Sequence, residues 1–173
     1  MSTLSRVFFL LVLAGLSAVA KAQPAGEGPA IRALMQQFDQ AIQKKDLGAL
    51  RDLFFEGRIV WRSTAHPSSR AMLERAGGRT VKAVEEQGAY EMLEDPRTAS
   101  LAFRETFGEP AIVTDGQMAS VTFNYDFRIN DRIQNWGLEN WQLAKVDNQW
   151  KIVSLLFSVR LQALEAAPQG HTR

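Results

Sequence analysis

Met118-Ala-Ser-Val-Thr-Phe-Asn-Tyr-Asp-Phe-Arg-Ile129 alternates apolar and polar side chains almost without a fault, and the fold is read outward from it. Ala119, Val121, Phe123, Tyr125, Phe127 and Ile129 share one face, while Met118, Ser120, Thr122, Asn124, Asp126 and Arg128 share the other. A period of two residues is that of a half-buried strand. Two more strand-like runs follow, Ile133 to Val146 and Gln149 to Val159, with Asn130-Asp131 and Asp147-Asn148 between them. Asn and Asp tolerate the positive φ of two-residue hairpins, so the three runs form an antiparallel meander.

Upstream the pattern changes to helical. Ile31, Leu34, Met35, Phe38, Ala41 and Ile42 make one apolar stripe on a helix opening at Pro29. Asp46 caps a short second helix with Leu47, Leu50, Leu53 and Phe54 inward. Arg58 to Ser63 reads as a strand, and Arg70 to Ala76 as a helical turn within a longer excursion. Thr80 to Val84 reads as a returning strand, and Val84 to Leu93 as a third helix stopped by Asp95-Pro96. Leu101 to Thr114 is a strand broken by Gly108 and Pro110. Helices first and an antiparallel sheet last define an α+β class.

The 173-residue chain opens with Arg6, an apolar run from Val7 to Leu16, and Ala20-Lys21-Ala22 before Gln23. That is the pattern of a secretory signal over 1–22, too short for a membrane span. The expected division is therefore a signal at 1–22, a disordered linker at 23–28, one domain at 29–160 and a flexible tail at 161–173. Export to a bacterial periplasm fits, since a core of this size needs no disulfide and the chain has no cysteine. Without Arg6 and Lys21 the chain carries 18 basic and 19 acidic residues with no basic cluster, which speaks against nucleic acid or an anionic membrane as partner.

Two-residue turns set a register. They place Tyr125 opposite Trp136, Phe123 opposite Leu138, Gln142 opposite Val153 and Asn140 opposite Leu155. One face then carries Val121, Phe123, Tyr125, Phe127, Trp136, Leu138, Asn140, Gln142, Val153, Leu155, Phe157 and Val159, and is expected to pack on the helices. The other carries Asp126 and Glu139 as surface charges, with Trp141, Leu143, Trp150, Ile152 and Leu156 as an apolar patch suited to a homodimer. A one-residue bulge in either hairpin reverses these assignments.

The helix continuation Lys44-Lys-Asp-Leu-Gly-Ala-Leu-Arg-Asp-Leu-Phe54, and Gly137-Leu-Glu-Asn-Trp-Gln-Leu-Ala-Lys-Val-Asp-Asn-Gln-Trp-Lys-Ile152, resemble the nuclear transport factor 2-like superfamily. Within it the chain looks most like secreted bacterial SnoaL-like and lumazine-binding-type proteins, over Ile31 to Val159. The resemblance implies a cone: a curved antiparallel sheet packed on N-terminal helices, with a pocket at the open end. It does not imply one chemistry, because such folds host isomerases, cyclases, dehydratases and non-catalytic binders. Against the ketosteroid isomerase branch, the catalytic Tyr position falls on Phe38, the general-base Asp on Arg62 and the protonated acid on Gln142. None of the three keeps its chemical role.

The expected site therefore binds a small organic molecule without transforming it. Arg62, Tyr125, Asn140 and Gln142 would offer polar groups, and Phe38, Trp136 and Phe157 apolar walls. The enzymatic alternative is a lyase, cyclase or hydrolase using His66 or Tyr125 as acid or base. A third alternative is an interaction module acting through the outer tryptophans. No cofactor is implied, and no metal site, since no carboxylate, His or Cys cluster has ligand spacing.

Overall fold

The computed structural model describes residues 26–172. The expected signal and the first half of the expected linker, 23–25, lie outside the described residues, and Glu27 and Gly28 already belong to the first helix. Helix α1 (Glu27–Lys44) buries Ile31, Leu34, Met35, Phe38, Ala41 and Ile42, the six residues of the stripe. Pro29 sits in its first turn, where a missing N–H loses no helical bond. Lys45 ends it at φ 54°, and the Asp46 carboxylate, accepting from the Ala49 N–H at 2.8 Å, caps α2 (Leu47–Leu53).

Strand β1 (Trp61–Ala65) leads into α3 (Pro67–Gly77), a full helix where one turn was expected. Pro67 pre-sets its start and Gly78, at φ 62°, its stop. The segment expected as strand 80–84 and helix 84–93 is reduced to β2 (Glu85–Glu86) and α4 (Ala89–Leu93). Gly88 disfavours helix ahead of Ala89. Strands β3 (Phe103–Phe107) and β4 (Ala111–Thr114) are split at Gly108 to Pro110, as the sequence indicates. Strands β5 (Met118–Ile129), β6 (Arg132–Val146) and β7 (Gln149–Leu161) form the meander. The sheet order is β2-β1-β7-β6-β5-β3, with β4 also on β5, and only β1 and β7 pair in parallel. Curved over α1 and α2, this is the expected α+β cone.

Both hairpin turns form where expected, with positive φ at Asn130, Asp131, Asp147 and Asn148. The register beyond them does not. A bulge after Arg128↔Ile133 pairs Phe127 with Asn135, leaving Gln134 as the extra residue. A second bulge after Leu143↔Ile152 pairs Gln142 with Ser154, leaving Val153 as the extra residue. Each moves the strand by one residue, and one residue reverses every side chain. Tyr125 thus faces Gly137, Phe123 faces Glu139 and Val121 faces Trp141.

The face assignment of β6 is therefore corrected throughout. Trp141, Leu143 and Ile152 are core residues beside Phe38, at most 2 % exposed. Trp150 is buried too, its indole N–H donating to Glu27 at 2.7 Å. None of the four is an outer interface residue. Asn140 and Gln142 face outward: Asn140 donates to the Ser120 and Thr122 hydroxyls, and Gln142 accepts from Ser154. Of the expected patch only Leu156 stands on the outer face, joined there by Leu138 and Val153.

The segment after β7, expected as a flexible tail, lies across the outer face. Trp136 donates to the Glu165 carbonyl and packs edge-on against His171, while the Thr172 hydroxyl donates to Asp126. These contacts bury Trp136 and Asp126 on the outer side of the sheet.

Candidate functional site

A cavity of about 610 Å³ opens at the wide end of the cone. This falls within the range of roughly 300–1,000 Å³ common for small-molecule sites. Its sheet wall is made by Trp61 and Ser63 of β1, Glu105 of β3, Tyr125 and Phe127 of β5, Asn135 of β6, and Phe157 and Val159 of β7. Leu73 and Ala76 of α3, Met92 of α4, and the connection from Arg79 to Ala89 close the other side. That connection is tied to β1, since the Gln87 N–H donates to the Trp61 carbonyl at 2.7 Å and the Gln87 side chain to Ser63 Oγ at 2.6 Å.

Sheet curvature makes room for this space. At Gly137 an added Cβ would lie 2.1 Å from the Ser158 carbonyl oxygen, so only glycine admits the approach of β7. The same carbonyl lies 2.9 Å from the Tyr125 hydroxyl, which is also 2.9 Å from Asn135 Oδ1. Burial raises the Tyr125 hydroxyl well above the usual phenol range, and the charges of Glu139 and Glu105 raise it further. Tyr125 is a fixed neutral donor at this wall, not a proton acceptor.

The unexpected feature is a pair of acids. Glu105 projects from β3 on the cavity wall and Glu139 stands behind it on β6, at 4 % and 0 % exposure. Glu105, the acid that keeps its proton, donates to the Glu139 carboxyl, and Oε2 of each is unpartnered among the described residues. Glu139 Oε1 accepts from the Trp141 indole N–H at 2.6 Å, and no cation of the described residues pairs with either acid. Burial drives Glu105 well above the ordinary carboxyl range, and Glu139, Asp39 and Asp126 push it the same way. Burial also raises Glu139, to about 7, against the pull of the hydrogen bonds from Trp141 and Glu105. Two carboxyls this close cannot both ionise cheaply, so they share a proton around neutrality. The Trp61 indole N–H, on the same wall, has no acceptor among the described residues.

Glu105 also borders a second recess of about 280 Å³, with Arg32, Asp39, Arg104 and Glu109 around it. There Arg32 pairs with Glu109, and Asp39 accepts from the Glu105 main-chain N–H at 2.9 Å.

Of the residues expected to bind ligand, Tyr125 and Phe157 lie on the cavity wall. Phe38 lies deeper, packed on Trp61 and Trp141. Arg62 turns away and pairs with Glu86 at 3.2 Å. Trp136, Asn140 and Gln142 are outside the cone, for the register reason given above. His66 precedes α3 and borders neither cavity.

No protein-family model matches the chain, and no curated protein matches it in sequence. Solved structures do. A protein of unknown function with a cystatin-like fold from Nostoc punctiforme aligns with TM-score 0.52 and 12% identity, covering 79% of this chain and 92% of the other. A nuclear transport factor 2-like protein from Cytophaga hutchinsonii gives 0.51 at 13% identity over 76% and 97%. A protein proposed as the beta subunit of an aromatic-ring-hydroxylating dioxygenase, from Novosphingobium aromaticivorans, gives 0.55 at 17% over 77% and 88%. The chain therefore has the nuclear transport factor 2-like, or cystatin-like, fold. At these identities the likeness is one of fold alone.

Proposed function

We propose that the protein is an exported carrier or receptor that binds a small, largely apolar organic molecule inside the cone. The observation that supports this most is the uncompensated Glu105–Glu139 pair behind an aromatic-walled cavity of about 610 Å³. Burying two acids without a cation lowers stability, and such an arrangement is most often kept for a ligand or a reaction. Phe157, Tyr125, Phe127 and Trp61 supply the apolar walls, and the acid pair the polar end. Native mass spectrometry of protein isolated after export should show a bound organic molecule, lost in Leu73→Trp, which narrows the mouth. Absence of any bound species, together with unmoved cavity resonances across a panel of aromatic and alicyclic compounds, would refute the proposal.

A second reading, proton transfer on the bound molecule, runs through Glu105 on the cavity wall, with Glu139 behind it positioning the shared proton at a value of about 7. It replaces the roles expected for His66 and Tyr125. The bound molecule should then take up deuterium at carbon in heavy water with the parent protein and not with Glu139→Gln. Equal uptake in both would exclude it. The exposed Leu138, Val153 and Leu156 are consistent with a homodimer through the outer face, on different residues from those first expected.

A further inference from the structure

Building on the proposed ligand site, we infer that its occupant is an organic cation, an aromatic or alicyclic amine whose ammonium group meets Glu105 and whose ring lies among Trp61, Tyr125, Phe127 and Phe157. The charges around Glu105 all run one way. Glu139 on β6, Asp39 on α1 and Asp126 on β5 raise its proton affinity by their charge, and Tyr125 is held neutral. Around the second recess Arg32 is paired with Glu109, and Arg104 is exposed. Nearer the main mouth Arg79 pairs with Glu85 at 3.0 Å and Arg62 with Glu86 at 3.2 Å, so neither cation reaches Glu105.

No described residue donates to the Glu105 carboxyl, and its Oε2 is unpartnered. An ammonium group is the ligand chemistry that supplies both the missing donors and the missing positive charge. The aromatic residues of the same wall, Trp61, Tyr125, Phe127 and Phe157, are of the kind that favours a cation over an anionic group.

An ammonium group and the shared proton compete for the same place. With Glu139 titrating at about 7, the pair is largely uncharged at pH 6 and carries one negative charge at pH 8. Amine affinity should therefore rise about tenfold from pH 6 to pH 8, for a ligand that stays protonated throughout.

The test uses three probes on one ring system: 2-aminoindane, 2-indanol and indane-2-carboxylate. Calorimetry at pH 6 and pH 8, in two buffers of different ionisation enthalpy, reads affinity and proton release together. The inference expects the amine to bind at least tenfold tighter than the alcohol at pH 8, to weaken toward pH 6 with proton release, and the carboxylate not to bind. Glu105→Gln should bring the amine down to the affinity of the alcohol. An alcohol that binds as well as the amine, or amine affinity independent of pH, would overturn the inference and leave the ligand site standing. Failure of all three probes to perturb cavity resonances would count against both.

Discussion

The two faces of the sheet each bury acid, and they do so by opposite means. Outside, Asp126 is 2 % exposed but fully answered: Arg128 Nε donates to it at 2.6 Å and the Thr172 hydroxyl at 2.9 Å. Inside, Glu105 and Glu139 are as deeply buried and have only each other, the Trp141 N–H and a shared proton. Asp126 is a structural acid, its carboxylate oxygens taken up by Arg128 and Thr172. The inner pair is held by nothing that neutralises it, and the cavity lies beside it. Burial alone does not mark a site; burial without compensation does.

Replacing Glu139 by Gln breaks this comparison most strongly. The folded-state value of Glu139 is raised from 4.5 to about 7, so the carboxyl supports the fold fully below pH 4.5 and loses that support as pH climbs through 7. Relative to the parent protein, Glu139→Gln should be equally stable near pH 4.5 and more stable by on the order of 3 kcal/mol at pH 8. Urea melts at the two pH values check this; a loss of stability at pH 8 would contradict it. Asp126→Asn should act in the other direction. It removes the partner of a half-buried guanidinium, at a cost of about 1–2 kcal/mol. A double-mutant cycle with Arg128→Ala should show that the loss is shared between them.

The meander itself was legible in the sequence. Strict alternation in β5 and the Asn-Asp and Asp-Asn turns carry enough local chemistry to place three strands, and the α1 stripe placed six core residues. What did not follow was the facing of β6. Its reversal comes from one extra residue, Gln134, while a second, Val153, turns the end of β7 back to the expected face, and neither is a glycine or proline that would announce a bulge. One signal was available. Asn140 and Gln142 side by side on a core face need two sets of buried partners, whereas the alternate row offers Trp141, Leu143 and a single Glu139. The acid pair was harder to find, since Glu105 and Glu139 meet only through the β3–β5–β6 pairing. Helix α3 was underestimated because its apolar side is thin. Ser69, which donates no stripe but accepts from the Leu161 N–H at 3.0 Å, is its buried residue.

The smallest expected effect on folding concerns the outer apolar residues. Leu138→Ser with Leu156→Ser should change monomer stability by no more than about 0.5 kcal/mol, because both side chains are already half exposed. If the outer face joins two copies, light scattering should show the dimer of the parent protein giving way to monomer in the double variant. An unchanged molecular mass would remove the outer face as an interface.

The most direct test of the account is the protonation of the inner acids, read from the side-chain carboxyl carbon resonances of Glu105 and Glu139 between pH 3 and pH 10 and assigned with the two Gln variants. The account predicts that one carboxyl of the pair stays protonated at pH 7 and that the first midpoint lies near 7. Ordinary titration of both carboxyls below pH 5 would contradict it, and with it the reading of this wall as a site.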